Sequence, residues 1–374
     1  MRQKEPNVWS VTEYFSELVL GLPGDTKERH FESLRVCVDE LEMNLISSHQ
    51  LMVLDGTPLA IPDVRDRFDL DIRSRIFAGC LGEYEICGEK TFIAETEEIV
   101  VGSKTMTFED WIECRIMDLL VKIYIDRDSF LEIFGLIRRL GLSCMGLISQ
   151  IRDGAENSKG FANFLARFVL CSSEPFLEGS DQVRLEKVKT RCMNGEPPTN
   201  ELLVYRALAF LENKTMISIV LVESAKEYLF LHGLLDEEIE KYLDEAIYFS
   251  TLRRFDPADA LEEKRGVFNY DFILAAQCYF EVLPEEIRTE KPVEIVFSYG
   301  ASTQGLIEAE LNWWKYNDKS ISRSQWEFNM GKMFHITNTK ALSRKWCFAE
   351  VKNDRAHYHR SRYLSSTVTP PRID

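Results

Sequence analysis

The side chains able to do chemistry are spread thinly along this chain. Nine cysteines stand at Cys37, Cys80, Cys87, Cys114, Cys144, Cys171, Cys192, Cys278 and Cys347, and the closest pair is Cys80 and Cys87. An odd number without a dense framework reads as reduced thiols of a cytoplasmic protein. Cys80 and Cys87 read as plain buried or half-buried thiols. The six histidines are His30, His49, His232, His335, His357 and His359. His357 and His359 could bind a metal, but no carboxylate or cysteine joins them at a matching spacing, so a solvated tail is the expectation. A Ser–His–Asp set stays open, since its members meet only in space. No Gly-x-Ser-x-Gly elbow, P-loop or complete Gly-x-Gly-x-x-Gly marks a nucleophile or a phosphate site. Trp313, Trp314, Tyr316, Trp326 and Trp346 make the C-terminal end aromatic. They could line a pocket, and packing of a small α+β unit is the favoured reading. Glu237-Glu238 and Glu285-Glu286 stand where helices begin and suit the positive end of a helix dipole.

The elements that must carry these residues follow from periodicity. Leu18-Val-Leu20 is a short apolar run closed by Gly21 and Pro23-Gly24, which predicts a buried strand and a turn. Asp25 is the expected N-cap, with Glu28 completing a capping box. Phe31, Leu34, Val38 and Leu41 then share one helical face, and His49–Leu54 predicts a second strand. Strand, helix, strand at this spacing implies a parallel βαβ unit. Residues 60–105 read as mixed and loop-rich, with an extended piece at Glu98–Gly102. Thr107 is expected to cap a helix whose Phe108, Ile112, Ile116, Leu120 and Ile123 form a single apolar stripe. Helical patterns continue over Ser129–Ile151, Gly160–Ser172, Asn200–Leu211, Met216–His232, Asp236–Phe255 and Pro257–Tyr279. Asp256 and Pro257 open the last of these. Asn194–Thr199 punctuates like a linker. Val293–Phe297 predicts a strand, Leu306–Trp314 a helix, and Lys332–Ile336 a strand.

At 374 residues and 45% hydrophobic, the chain has room for two domains, or for one domain with a helical appendage. Its 45 basic and 61 acidic residues give a net charge of −16, which argues against a nucleic-acid partner. The short basic run Arg355–Arg362 reads as a solvated end. The charged start, Met1–Pro6, lacks the apolar core of a signal peptide. The greasiest windows, Phe130–Ile151 and Met216–Leu235, are broken by Arg138-Arg139 and by Glu223, Lys226 and Glu227, so no membrane span is expected.

Three segments, in order, resemble the cobalamin-dependent radical S-adenosylmethionine (SAM) enzymes. Ser16-Glu-Leu-Val-Leu-Gly-Leu-Pro-Gly-Asp-Thr26 looks like that family's late-barrel "SELILGLPGET" stretch, with Asp25 in place of the usual Glu. His49-Gln-Leu-Met-Val-Leu-Asp-Gly-Thr57 looks like the next strand and its "LxGT" end. Glu97–Trp111 looks like a block just beyond the barrel. The resemblance covers roughly residues 10–125.

The resemblance implies the last βα units of a partial TIM-type barrel (1–60), and the mostly helical C-terminal domain (107–283) is similar in character to that family's appendage. The residue pattern itself gives a mixed connecting segment (61–106), a small α+β tail (284–350) and a disordered end (351–374). The resemblance implies SAM beside Val19, Leu20 and Gly21. The turn through Pro23, Gly24, Asp25 and Thr26 would offer backbone donors at a helix N-terminus, and Leu51 to Leu54 a strand edge for the adenine. A tight βα turn with no ligand is the competing reading of the same residues. The family's four-iron cluster is held by Cys-x-x-x-Cys-x-x-Cys, which this sequence lacks. On this reading the cluster loop, the earlier strands and any cobalamin-binding domain belong to a missing N-terminal half, in the same frame or in another chain. Residues 14–60 are then expected to pack poorly alone. Two functions follow: a part of a radical SAM enzyme that is not competent by itself, or a non-catalytic helical interaction protein that retains a barrel remnant.

Overall fold

The computed structural model describes residues 15–173, 176, 183, 186–187, 189–191, 200–259, 262–336 and 344–349. Within them β1 (Phe15–Leu20), α1 (Lys27–Arg35) and β2 (Leu45–Gln50) come first, with a π-helical turn at Val36–Glu40. Next come β3 (Met52–Val53), α2 (Pro62–Phe68), β4 (Asp71–Ile86), β5 (Glu89–Gly102) and α3 (Phe108–Tyr124). The helices α4 (Leu131–Arg139), α5 (Cys144–Asp153), α6 (Lys159–Ser173), α7 (Glu201–Leu211), α8 (Lys214–Leu231) and α9 (Glu237–Arg253) follow. The remainder is β6 (Lys264–Tyr270), α10 (Phe272–Gln277), α11 (Pro284–Ile287), β7 (Arg288–Ser298), α12 (Ala301–Trp313), α13 (Arg323–Ile336) and β8 (Lys345–Phe348).

The architecture is mixed α/β with helices predominating. β1 and β2 pair in parallel, Phe15 opposite Leu45 through Leu20 opposite Gln50. A second sheet runs β3-β5-β4 and a third β6-β7-β8, both antiparallel. No barrel closes among the described residues. The expected His49–Leu54 strand is split: β2 ends at Gln50, and Met52–Val53 crosses to the second sheet.

Several local expectations are corrected. Residues 60–105 are not loop-rich: β4 and β5 form a long hairpin whose turn, Cys87-Gly88, has both φ angles positive at 54° and 83°. A turn of that hand matches the twist of its strands. Thr26, not Asp25, caps α1, its hydroxyl accepting from Arg29 N at 3.2 Å. Pro257–Tyr279 is not one helix. In Lys264–Tyr270, Gly266, Phe268 and Tyr270 are buried while Arg265, Val267 and Asn269 are exposed, the alternation of a strand. Lys332–Ile336 is helical, because Met330, Met333 and Phe334 bury at a spacing of three and four residues. Gly331 lets that helix close on α7, since a Cβ there would sit 3.1 Å from Val204 N. Asn194–Thr199, Arg355–Arg362, Cys192, His357, His359 and the expected end at 351–374 lie outside the described residues.

The core is centred on α3. Thr107 caps it as expected, in a reciprocal pair with Asp110. The single stripe is corrected, because every residue from Met117 to Tyr124 is buried. A helix covered on all sides is an interior helix. Leu34, Val38 and Ile46 join the same core, so the βαβ unit is fused to the helical body along its inner face. The expectation of poor packing survives only for its outer face, where Phe15 is 52% and Val19 39% exposed.

Candidate functional site

The expected ligand turn lies where β1 meets the second sheet. Leu20 is fully buried with Ile99, Val101, Met106 and Trp111, while Leu54 stands exposed. Leu51 bridges the two sheets: its N–H donates to Leu20 O, and its carbonyl accepts from Val100 N, both at 3.0 Å. Gly21 has φ +95°, and a Cβ on it would meet Val100 O at 3.1 Å. A side chain there is opposed by both backbone conformation and space. Gly24 also has a positive φ of +83°, in the turn that carries Pro23.

The donors of this turn are used by the chain itself. Asp25 N bonds Leu22 O at 2.9 Å, Thr26 N bonds Asp25 Oδ1 at 3.0 Å, and Arg29 N bonds Thr26 Oγ1. Thr105 Oγ1 closes over the turn on Asp25 O, and Lys27 Nζ reaches Asp110 and Glu113 at 3.0 Å each. The structure therefore brings Leu20, Gly21 and Leu51 together, keeps Pro23–Thr26 beside them, and turns Val19 and Leu54 outward. The tight-turn reading of Gly21–Thr26 accounts for these contacts.

Beneath the strands lies a polar cluster that sequence periodicity missed. His30 Nε2 sits 2.8 Å from Asp118 Oδ1, and Ser48 Oγ donates to the same oxygen at 2.8 Å. Burial opposes the charged imidazolium, yet the Asp118 carboxylate outweighs it and His30 titrates above its usual range. One step along, Arg115 Nη2 donates to Glu201 Oε1 at 2.6 Å, and Gln50 Nε2 donates to the same oxygen at 3.3 Å. Burial of Glu201 favours its neutral form, but Arg115 and then Arg75 hold its pKa below the ordinary value. The serine hydroxyl bonds the carboxylate rather than the imidazole, so these three residues are not arranged as a nucleophilic triad. They tie α1, β2 and α3 together. The signal in the sequence was Arg115, Asp118 and Lys122, charges at helical spacing inside an otherwise apolar helix.

On the other face of β1 and β2 is a cavity of ≈ 270 Å³. Phe15, Glu17, Leu45, Ser47 and His49 form its strand wall. Lys122, Asp126, Arg127, Arg206 and His335 form its helical wall. Asp126 Oδ1 accepts from Ile46 N at 3.0 Å, and Lys122 Nζ donates to Ile46 O at 3.0 Å, so this pair also closes the outer edge of β2. Among the described residues no group of three His, Cys, Asp or Glu could hold a metal ion, and no helix is long and apolar enough to cross a membrane.

The C-terminal aromatics pack rather than line this cavity. Trp326 donates to Tyr316 O at 3.1 Å, Trp346 lies 5.4 Å from Phe249, and Trp313 stands 77% exposed. No protein-family model matches the chain, and no curated protein matches it.

Proposed function

We propose that this chain supplies late barrel strands and the helical domain of a radical SAM enzyme, and that the cluster-bearing front comes from a further polypeptide segment. The observation that carries the reading is β1. It is parallel to β2, its other backbone edge takes no partner among the described residues, and its outer face is open. Parallel strands ordinarily sit inside a sheet with both faces covered, so such a strand is suited to receive a neighbour. The ordered likeness of Ser16–Thr26, His49–Thr57 and Glu97–Trp111 to that family is the second support. The residues present do not fit the four-iron cluster, because the sequence lacks its cysteine triplet, so no chemical step is assigned to any side chain here. SAM would meet only a half-site at Val19–Gly21 and Leu51–Leu54, and cobalamin would belong to the missing half.

The internal use of the Asp25, Thr26 and Leu51 backbone groups favours a second reading, a non-catalytic helical interaction protein built on a barrel remnant. Anaerobic iron and sulfide reconstitution separates the two. The chain alone should take up no stable four-iron cluster and release no 5′-deoxyadenosine. The same chain co-expressed with the polypeptide encoded directly upstream should do both. An upstream sequence without a Cys-x-x-x-Cys-x-x-Cys loop, or a co-expressed pair that stays inert towards SAM, would leave the interaction protein as the reading.

A further inference from the structure

We propose that the tip of the β4–β5 hairpin is a docking surface for the basic, tyrosine-bearing run Lys352–Leu364 of this same chain. The assignment does not depend on the radical SAM reading. The register sets Gly82 opposite Ile93, Tyr84 opposite Thr91 and Ile86 opposite Glu89. Successive side chains of a strand point to opposite faces, so Tyr84, Ile86 and Ile93 share one face. They are 52%, 48% and 39% exposed. The Tyr84 ring lies along that face, 3.3 Å from where a Cβ on Gly82 would stand. Among the described residues β4 pairs with β5 alone, and β3 reaches β5 only at Glu98 and Ile99. A two-stranded ribbon is marginal by itself, and an exposed apolar patch rimmed by polar groups marks an interaction surface.

Charge chooses the occupant. From Leu81 to Glu95 the arm carries Glu83, Glu85, Glu89 and Glu95 against Lys90 alone. Of these carboxylates only Glu83 has a cationic partner among the described residues, Lys90 at 3.6 Å. Glu89 and Glu95 alternate onto the same face as the three apolar side chains. A second copy of the arm would bring like charges together, which is unfavourable. The run Lys352–Leu364 has the opposite make-up: Lys352, Arg355, Arg360 and Arg362 against Asp354 alone, together with Tyr358, Tyr363 and Leu364. Cations on long aliphatic stems, with tyrosine rings beside them, suit an apolar strip set between carboxylates.

Reach does not limit the contact. The run lies outside the described residues, but the chain leading to it is held where Ala349 N donates to Glu294 O at 3.0 Å. From Ala349 to Leu364 an extended chain spans about 50 Å, enough to cross a domain of this length. Tethering holds the run at an effective concentration of about millimolar, so surface ion pairs that are weak one by one suffice. The clasp is ionic and reversible, and the arm still opens to solvent and protease more often than the packed core does.

Hydrogen exchange of the full chain, read over Leu81–Glu95, tests the assignment. The comparison is a tail-reversed chain carrying Lys352→Glu, Arg355→Glu, Arg360→Glu and Arg362→Glu. In about 50 mM salt the parent arm should exchange at least about fivefold more slowly, and the difference should vanish in about 500 mM salt. A synthetic peptide of residues 351–366 should restore protection to the tail-reversed chain saturably, and the same peptide with glutamate for its four bases should not. Adding Glu83→Lys, Glu85→Lys, Glu89→Lys and Glu95→Lys to the tail-reversed chain should recover protection through the swapped charges. Equal exchange in the parent and the tail-reversed chain at low salt, or a charge swap that recovers nothing, would overturn the proposal. Protection that grows with protein concentration would assign the occupant to a second copy's tail and overturn the intramolecular clasp.

Discussion

Gly21 and Val100 meet so closely that the Val100 carbonyl oxygen would lie 3.1 Å from any Cβ on residue 21. The contact marks where the parallel pair gives way to the antiparallel hairpin, with Leu51 hydrogen-bonded to both sides.

Gly21→Ala should therefore be costly. It combines a φ of +95° with a crowded backbone neighbour, and the expected loss is about 2 kcal/mol. Gly24→Ala, at φ +83° with nothing within 4 Å of the added carbon, should lose roughly 1 kcal/mol from conformation alone. Urea unfolding of the two variants measures the difference. Equal losses would mean that the approach to Val100 carries no energy.

His30 gives stability a pH dependence. Its folded pKa is raised, burial being outweighed by Asp118. A raised pKa means that the contribution is full below the unfolded value, about 6.5, and fades as pH rises through the folded value. The parent should thus lose stability relative to His30→Gln on going from mildly acidic to alkaline buffer. Chemical denaturation across that range should show the two curves converging. Parallel curves would remove His30 from the account.

Arg253 and Glu132 are joined by two bonds, Nε to Oε1 at 2.6 Å and Nη2 to Oε2 at 3.1 Å, with both side chains buried. Removing one partner strands the other charge away from water. Arg253→Met or Glu132→Gln alone should cost about 3–5 kcal/mol, and the double variant less than the sum of the singles. Thermal unfolding of the double-mutant cycle checks this, and simple additivity would contradict the pairing.

Limited proteolysis should begin in the β4–β5 hairpin. Residues Glu83–Lys90 are all exposed, and a hairpin of two strands holds itself together only marginally. Trypsin should cut after Lys90, whose side chain is 74% exposed, before it cuts at Arg29 or Arg35. Leu20, Leu34 and Ile46 anchor that earlier unit in buried clusters. First cleavage within residues 15–50 would reverse this order and restore the expectation of a poorly packed βαβ unit.

Much of the helical body was legible in the sequence. Thr107 caps the helix it is expected to cap, and the patterns starting at Asn200 and Asp236 begin at the residues that cap those helices, because a capping side chain acts on backbone only two or three residues away. The β1–α1–β2 unit was legible for a related reason: the spacing of Leu18–Leu20, Leu34, Val38 and the second run leaves few alternatives. Lys332–Ile336 was misread as a strand because five residues cannot separate a period of 2 from one of 3.6. The β4–β5 hairpin is hard to read from the sequence because its apolar residues run together, as at Ile76-Phe77 and Phe92-Ile93, and a register shift between Ile76 and Leu81 breaks the alternation.

By itself, then, the sequence determined the local decisions: where helices start, that the first two strands run parallel, and that no cysteine triplet is present. Tertiary structure alone decided that Asp118 faces His30, that Gly21 abuts Val100, and that Lys122, Arg127 and Arg206 line one wall of a cavity. The reason is range. A cap or an amphipathic face is fixed by neighbours within a turn or two of chain, whereas a buried charge is tolerated only where partners from distant segments converge on it, and that convergence exists only once the chain has packed.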